Sequence, residues 1–277
     1  MFQDIDPHKL TYESGRDGPR DEDHVLVLKD GRVLLEACQG ELALPAYGEA
    51  REALQNHAGG LVYLFSAGGT DFYHSLEPVD AWGRFVYDKI SVVRGLKPPH
   101  LAFAAATAFH IASWYGDNRY CGKCSSPMLP DKTERALHCP VCDLVKYPRV
   151  SPVIMVGVVD GEKLLLTRYS GREYTGYALI AGYVEPGETL EGAIAREVME
   201  EVGLRVTNVR YFKSQPWAFS QSLLMGFFAD LEGDGTITLD TGELSEAGWF
   251  PRAEIPEGES RFSLTWDMIH AFRDGEA

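Results

Sequence analysis

Residues 182–204 read Gly182-Tyr-Val-Glu-Pro-Gly-Glu188-Thr-Leu-Glu-Gly-Ala-Ile-Ala-Arg196-Glu197-Val-Met-Glu200-Glu201-Val-Gly203-Leu204. Thr189 is a suitable N-cap for a helix, and Gly203 is a suitable residue to end it. Apolar residues recur along one side of this helix, at Leu190, Ile194, Val198 and Val202. The segment therefore predicts a glycine-containing loop followed by a helix that packs its apolar stripe on a sheet.

The same helix carries three carboxylates, at Glu197, Glu200 and Glu201. At 3.6 residues per turn they fall within about 100° of arc, where like charges repel one another. A hard cation relieves that repulsion, and Mg²⁺ prefers carboxylate oxygens together with substrate phosphate. We therefore predict a divalent-cation site in preference to an acidic solvent face. We expect Arg196 to point elsewhere around the helix and to pair with Glu188.

This segment resembles the Nudix signature GX5EX7REUXEEXGU, where U is apolar, at every fixed position. The resemblance implies a Nudix α/β/α sandwich and hydrolysis of a pyrophosphate bond with Mg²⁺ or Mn²⁺. It also implies that Glu197, Glu200 and Glu201 are the metal ligands. One of them, or a glutamate outside the box, is then the general base, and the sequence leaves that choice open.

A second segment, residues 214–222, reads Ser-Gln-Pro-Trp-Ala-Phe-Ser-Gln-Ser. It is similar to the SQPWPFPxS array of the NudC-type NADH pyrophosphatases, which are also described as NAD-cap RNA hydrolases. Ala218 and Ser220 replace two prolines of that array, so the loop is expected to be less rigid. Its aromatic and amide groups suit a dinucleotide, whose bases offer flat faces for stacking.

The resemblance carries substrate-binding roles to nine positions: Tyr147, Ala181, Tyr183, Gln215, Trp217, Phe219, Gln221, Ser222 and Glu243. It also places Ala181 and Glu243 at the catalytic metal and makes Glu243 a candidate base, with Glu246 as the nearby alternative. The plainer alternatives are core packing for Tyr147, Trp217 and Phe219, and a solvated loop charge for Glu243.

Four of the five cysteines form two pairs, Cys121-Gly-Lys-Cys124 and Cys139-Pro-Val-Cys142, while Cys38 stands alone. Four thiolates in two such pairs match tetrahedral Zn²⁺ and fill its coordination sphere, which indicates a structural zinc ribbon. A redox role for the pairs is the alternative. His138 is surplus to a site of four thiolates. The balanced charges of residues 125–138 favour a scaffold over a nucleic-acid reader.

The chain is long enough for two domains and a small module. We expect an α+β fold divided into an amino-terminal domain (1–97), a connecting helix (98–116), the zinc ribbon (117–148) and a Nudix domain (149–277). Strand patterns at 24–28, 32–35 and 61–65 and a turn at Asp30-Gly31 support the first. Leu101 to Tyr115 predict a largely buried helix, on which His110 is a core or interface histidine and not a ligand.

The net charge of −15 disfavours broad contact with a nucleic-acid backbone. No apolar run approaches the length of a membrane helix, and the acidic start of the chain lacks the pattern of a signal peptide. We therefore expect a cytoplasmic protein without a membrane partner. The family resemblance adds homodimerisation with composite active sites.

The sequence thus predicts Mg²⁺- or Mn²⁺-dependent hydrolysis of NAD(H) to NMN(H) and AMP, with one structural Zn²⁺ and with NAD-capped RNA 5′ ends as a further substrate. The alternative is a Nudix hydrolase of ADP-ribose, a nucleotide sugar or a dinucleoside polyphosphate. A zinc-ribbon nucleic-acid-binding protein with an inactive Nudix domain is a different class, which the complete carboxylate set opposes. A Nudix-fold isomerase is opposed by the same complete box.

Overall fold

The computed structural model describes residues 1–13, 18–38, 41–55, 60–131, 133–172, 174–255, 257–258 and 261–276. Lys132, which contributes to the charge balance of 125–138, lies outside them. The chain forms two compact units. The amino-terminal unit comprises Gln3–Arg149 and Ala218–Gln221, and the carboxy-terminal unit comprises Met1–Phe2, Val150–Trp217 and Ser222–Ala277.

The amino-terminal unit is built from short strands and two helices. The strands are β1 (Leu10–Thr11), β2 (His24–Leu26), β3 (Leu28–Lys29), β4 (Arg32–Cys38), β5 (Glu41–Ala43), β6 (Leu61–Ala67), β7 (Thr70–Ser75), β8 (Phe85–Lys89), β9 (Leu129–Pro130), β10 (Leu137–His138) and β11 (Val145–Lys146). The helices are α1 (Tyr47–Gln55) and α2 (Pro99–Asp117). Three sheets result, with the orders β1-β6-β7-β2, β3-β4-β5 with β8 on β4, and β11-β10-β9.

The predicted hairpin is present, and its first strand is divided. Asp30 and Gly31 both have positive φ, which joins β3 to β4 in a two-residue turn, as predicted. The expected strand over 24–28 is interrupted at Val27, because β2 pairs with β7 whereas β3 pairs with β4. One stretch of chain thus contributes to two sheets, a change of partner that a local pattern does not reveal.

Helix α2 confirms the predicted buried helix. Pro99 occupies its first turn, where a missing N–H costs nothing. Ten of its nineteen residues are buried. His110 is half-buried and its Nε2 lies 2.8 Å from the backbone oxygen of Arg149. This contact supports the interpretation of His110 as a packing residue. Among the described residues, no helix is long and apolar enough to cross a membrane.

The carboxy-terminal unit is a mixed six-stranded sheet between two helices. The strands are β12 (Ser151–Asp160), β13 (Lys163–Tyr169), β14 (Ile180–Tyr183), β15 (Arg205–Trp217), β16 (Ser222–Glu232) and β17 (Leu244–Pro251), and the helices are α3 (Leu190–Val202) and α4 (Leu264–Arg273). The order is β15-β16-β12-β13-β17, with β14 paired to β12. The β12–β16 pair is parallel and the others are antiparallel.

The side chains of this sheet alternate between two cores, which confirms the predicted α/β/α sandwich. On β12, Ile154 and Val156 pack in the cluster that contains Val198 of α3. The intervening Met155 packs in the cluster that contains Met268 of α4. Each fully buried aliphatic side chain contributes about 1.5–3 kcal/mol. The apolar stripe predicted for the 190–202 helix is thus its contact with the sheet.

Candidate active site and zinc centre

The ends of α3 are as the sequence predicts. The Thr189 hydroxyl accepts a hydrogen bond from Gly192 N at 3.1 Å, so Thr189 is the N-cap. Gly203 has φ 69° and its N–H donates to Met199 O at 3.0 Å, which ends the helix in a left-handed residue. These two caps determine where α3 begins and ends.

Arg196 fastens the loop of residues 184–189 to the helix. Its Nε and Nη2 donate to the two oxygens of Glu188, at 2.6 and 2.9 Å. Nη2 also donates to the backbone oxygen of Tyr183 at 3.0 Å. The bidentate pair lowers the pKa of Glu188 to about 2. The predicted pairing of Arg196 with Glu188 is therefore confirmed.

The rest of the guanidinium lies among the box carboxylates. Arg196 Nη1 donates to Glu197 at 2.7 Å and to Glu200 at 3.0 Å. The expectation that Arg196 points away from the three glutamates is therefore wrong: a side chain this long reaches the adjacent residue and the next turn. Glu197 and Glu200 thus both form ion pairs with the Arg196 guanidinium.

Gly182 and Glu197 are matched across the gap between β14 and α3. A Cβ built on Gly182 would coincide with the carboxylate of Glu197. The strand direction explains this: Gly182 faces α3, whereas Ala181 and Tyr183 face the opposite side of the sheet. Glycine at 182 therefore provides the space in which the Glu197 carboxylate lies.

Glu201 differs from its neighbours because it is buried, with 3% of its surface exposed. Its Oε2 has no hydrogen-bond partner among the described residues. Burial, and then the charges of Glu197 and Glu243, raise the pKa of Glu201 to about 8. An unpaired buried carboxyl oxygen is costly, and a cation bound here would satisfy it. The donors present therefore fit a divalent cation.

Glu243 and Glu246 have different surroundings. Glu243 is exposed in the turn before β17, and its charge is close enough to Glu201 to raise the pKa of that carboxyl. Glu246 lies on β17 and forms an ion pair with Arg168 at 3.3 Å on the adjacent β13. Of the two, Glu243 is thus the one whose charge raises the pKa of Glu201.

Tyr183 and Ala181 lie on β14, on the α4 side of the sheet. Tyr183 is 53% exposed, so its ring is open to solvent. Ala181 is half-buried against the α4 cluster and has only its backbone oxygen to offer a metal. Their roles in metal and substrate binding stay predictions.

The array 214–222 divides between packing and surface. Gln215 is fully buried at the edge of α4: its Nε2 donates to Phe262 O at 3.2 Å and its Oε1 accepts from Leu264 N at 2.8 Å. Ser222 is also buried, opposite Trp217 in the β15–β16 pair. Trp217 is half-buried. In this structure Gln215 thus holds the start of α4, and its predicted contact with substrate is untested.

Phe219 and Gln221 belong to the amino-terminal unit. The Arg94 guanidinium carbon lies 4.4 Å from the centre of the Phe219 ring, and Gln221 Oε1 accepts from Arg149 at 3.3 Å. Tyr147, in the same unit, is 60% exposed, and a hydrogen bond with Glu134 raises the pKa of its phenol. These three residues stay predicted substrate contacts.

The cysteine pairs form two matching knuckles. Ser125 N donates to Cys121 O at 2.8 Å, and Asp143 N donates to Cys139 O at 3.0 Å. Ser125 and Asp143 both have positive φ, which turns the backbone around each pair.

The four thiols, at Cys121, Cys124, Cys139 and Cys142, have sulfurs that lie within 4.8 Å of one another, and none forms a disulfide. Sulfurs bound tetrahedrally at about 2.3 Å from Zn²⁺ would lie about 3.8 Å apart. The geometry fits a closed, structural zinc site that does not need His138.

Within the described part of the chain, these cysteines are the only group of three or more His, Cys, Asp or Glu side chains gathered so tightly. Glu197, Glu200 and Glu201 are less compact, since Arg196 draws the first two and Glu201 is held inside.

Comparison with known proteins agrees with this arrangement. A NUDIX domain model matches residues 148–272, and a model described as the NADH pyrophosphatase zinc ribbon domain matches 117–147. A protein of Chromobacterium violaceum named NAD-capped RNA hydrolase NudC is 43% identical over 178 residues, covering 63% of this chain and 67% of the relative. This chain belongs to the NudC family of Nudix hydrolases.

A second NudC protein of that name, from Citrobacter koseri, is 42% identical over 152 residues, which cover 55% of this chain and 59% of the relative. The aligned part thus spans about three-fifths to two-thirds of these NudC relatives. A solved Nudix hydrolase of Nitrosomonas europaea is 24% identical and covers 56% of this chain and 90% of its own, with a TM-score of 0.48.

Three residues beside the carboxylates of the Nudix box were not predicted from the sequence: Tyr169, Arg172 and Asp240. Arg172 and Asp240 both influence the pKa of Glu201, and Asp240 N donates to Glu201 O at 2.9 Å. Tyr169 packs in the α3 cluster, and its pKa is raised mainly by burial. They lie in or beside loops that have no recognisable spacing relative to the box, so no sequence signal identifies them.

Proposed function

We propose that this chain hydrolyses the pyrophosphate bond of NAD(H), releasing NMN(H) and AMP. The observation that carries the proposal is the buried carboxyl of Glu201. Its Oε2 has no hydrogen-bond partner among the described residues, and the charges of Glu197 and Glu243 raise its pKa. The ionised form of such a group is unfavourable in the folded chain unless a cation neutralises it. The substrate class is supported by the relatives named NAD-capped RNA hydrolase NudC and by the NADH pyrophosphatase zinc ribbon model.

Glu197, Glu200 and Glu201 would hold Mg²⁺ or Mn²⁺, with Glu243 and the backbone oxygen of Ala181 as further donors. Such ions, when bound, neutralise the phosphates, polarise phosphorus and lower the pKa of a bound water. The release of Glu197 and Glu200 from Arg196 would accompany binding. Arg196 would then keep the loop in place through Glu188 and Tyr183 O.

Hydrolysis adds one water across the P–O–P linkage, so a base must accept a proton from that water. Glu243 suits this role because it is exposed and because its charge acts on Glu201. One of the box glutamates is the alternative base. A carboxylate that ligates a metal through one oxygen retains a second oxygen for a proton.

For the dinucleotide itself, we propose that the exposed ring of Tyr183 stacks on a base. Trp217, Ser222, Phe219, Gln221 and Tyr147 are proposed as further contacts. The burial of Gln215 suggests that it acts by holding the backbone of α4. The NAD cap of RNA is proposed as a second substrate of the same site, on the strength of the relatives' name.

We also propose a cytoplasmic location, where the ribbon thiolates remain reduced, and a homodimer with a composite pocket. Sedimentation equilibrium of the purified chain tests the dimer. A monomer that retains full activity on NADH would contradict the composite site.

The central experiment incubates purified chain and Mg²⁺ or Mn²⁺ with NADH, NAD⁺, ADP-ribose and NAD-capped RNA, and measures AMP or decapped RNA. We expect NADH to give AMP and NMNH in equal amounts, at a higher kcat/KM than ADP-ribose. Glu201→Gln should abolish turnover. Glu191→Gln, on the exposed first turn of the same helix, is the matched control and should retain it. Absence of AMP from NADH would overturn the proposal.

A further inference from the structure

Arg172 stands out among the cations of the carboxy-terminal unit. Its side chain is exposed, and it lies between β13 and β14, two residues after the half-buried Ser170. Its guanidinium carbon lies 3.8 Å from the centre of the Tyr169 ring. Within the described residues, no carboxylate lies at ion-pair distance from it. The Arg172 guanidinium is therefore oriented by the Tyr169 ring, and its N–H groups are available to donate hydrogen bonds to a ligand.

The segment that carries Arg172 is fastened beside the carboxylates. Ser170 N donates to Glu243 O at 2.8 Å. The single hydroxyl proton of Ser245 is shared between Arg168 O at 3.2 Å and Tyr169 O at 3.1 Å. The turn that bears Glu243 and the segment that bears Arg172 are thus joined by one backbone hydrogen bond and one shared hydroxyl hydrogen bond, so their positions are coupled.

The segment is also anchored on its other side. Tyr174 OH accepts a hydrogen bond from Trp266 Nε1 at 3.0 Å and donates to Tyr177 O at 3.2 Å. Trp266 itself is buried in the α4 cluster. With anchors before and after it, Arg172 is held near the site although its own side chain is exposed.

The other two arginines nearby are already engaged. Arg196 donates to three glutamates and one backbone oxygen. Arg168 pairs with Glu246 and stacks on Tyr177, at 4.2 Å from the ring centre. By contrast, Arg172 forms no ion pair with a described residue and its segment is hydrogen-bonded to the turn that carries Glu243, so its guanidinium remains available to a ligand beside that turn.

A pyrophosphate ester carries two negative charges into a site lined by carboxylates. Metal ions offset part of the repulsion, and a guanidinium adds bidentate hydrogen bonds that suit phosphate oxygens. We propose that Arg172, oriented on the Tyr169 ring, binds a pyrophosphate oxygen of the substrate. This rests on the proposed function and adds to it a substrate-binding residue outside both the box and the 214–222 array.

The test compares Arg172→Ala, Arg172→Lys and the wild-type chain. Arg210→Ala is the matched control, because Arg210 is a surface arginine of the same unit that pairs with Asp230 at 2.9 Å. Binding of inorganic pyrophosphate with Mg²⁺ is measured by calorimetry, and KM and kcat are measured with NADH. Thermal unfolding checks that each variant is folded.

We expect Arg172→Ala to weaken pyrophosphate binding by about tenfold or more, the loss expected for hydrogen bonds to a charged partner. KM for NADH should rise similarly, with a smaller change in kcat. Arg172→Lys should fall between, since it keeps the charge but loses the planar fork. Arg210→Ala should match wild type.

Equal pyrophosphate affinity in wild type and Arg172→Ala would overturn the assignment, as would a wild-type chain that does not bind pyrophosphate. The two proposals fail separately. A wild-type chain that binds pyrophosphate through Arg172 but releases no AMP from NADH refutes the NAD(H) activity and leaves the role of Arg172 standing. If Arg172→Ala turns over NADH and binds pyrophosphate as wild type does, the role of Arg172 is refuted and the NAD(H) activity stands.

Discussion

The carboxylate of Glu197 lies in the space that a Cβ on Gly182 would occupy. The two residues are fifteen positions apart in the chain and are brought together by the packing of α3 against β14. A side chain at 182 would have to displace Glu197, which is one of the proposed metal ligands. The glycine that opens the Nudix box therefore serves the position of a carboxylate as well as the path of the loop.

Gly182→Ala tests this relationship. We expect kcat to fall by about a hundredfold, because a shift of about 1 Å in a catalytic group has effects of that size. Gly192→Ala is the matched control: its Cβ would meet Thr189 Oγ1 at an ordinary 3.4 Å. In a helix that change should stabilise by about 0.5–1 kcal/mol. Equal kcat in the two variants would contradict the steric explanation.

Glu201→Gln should change how stability depends on pH. The folded pKa of Glu201, about 8, lies above its ordinary value of 4.5. Its protonated form therefore favours the folded state, and that contribution is lost as pH rises from about 5 to about 8. In metal-free protein, the Tm of wild type relative to Glu201→Gln should fall across this window. Thermal denaturation at several pH values measures it, and a constant difference would refute the assignment.

Mg²⁺ should reverse this loss of stability. A cation that binds the folded chain raises Tm by mass action, and ionised Glu201 is the form that binds it. The increase in Tm on adding Mg²⁺ should therefore be larger at pH 8 than at pH 6 and should be much smaller in Glu201→Gln. Differential scanning fluorimetry with Mg²⁺ titration gives the comparison. An identical response in both proteins would exclude Glu201 as a ligand.

The ribbon should lose its metal when one thiolate is removed. Cys124→Ser leaves three sulfurs, and structural zinc sites depend on a complete ligand set for their folding. We expect wild type to contain about one zinc per chain by elemental analysis and Cys124→Ser to contain much less. Cys38→Ser, the cysteine outside the ribbon, should keep its zinc. Zinc retained in Cys124→Ser would contradict the four-thiolate site.

Gln215→Ala should destabilise the carboxy-terminal unit. The buried amide makes two hydrogen bonds to the backbone at the start of α4, and losing the partner of a buried group costs about 1–3 kcal/mol. Urea unfolding measures the loss. Arg205→Ala, at an exposed position of the same strand, should stay within about 0.5 kcal/mol of wild type. Unchanged stability of Gln215→Ala would leave substrate binding as its explanation.

Local patterns were sufficient for several elements. Thr189 and Gly203 delimit α3, Asp30-Gly31 forms the hairpin turn, and the cysteine spacing identifies the ribbon. These features depend on interactions within a few residues, where spacing and side-chain chemistry suffice. The strand predicted at 24–28 is interrupted at Val27, because the change from one sheet to another depends on strands that are distant in the sequence.

The sequence by itself determined the chemistry of the site: a Nudix box with three glutamates on one face of a helix, and a four-cysteine ribbon. Only the tertiary structure decided the state of each group. Burial against the sheet raises the pKa of Glu201, and Arg196 reaches Glu197 and Glu200. Hydrogen bonds on both sides of Arg172 hold its segment beside the turn of Glu243. Burial and electrostatic fields arise from residues far apart in the chain. The spacing in the sequence therefore identifies the carboxylates of this site, whereas packing determines which of them is ready to receive a cation.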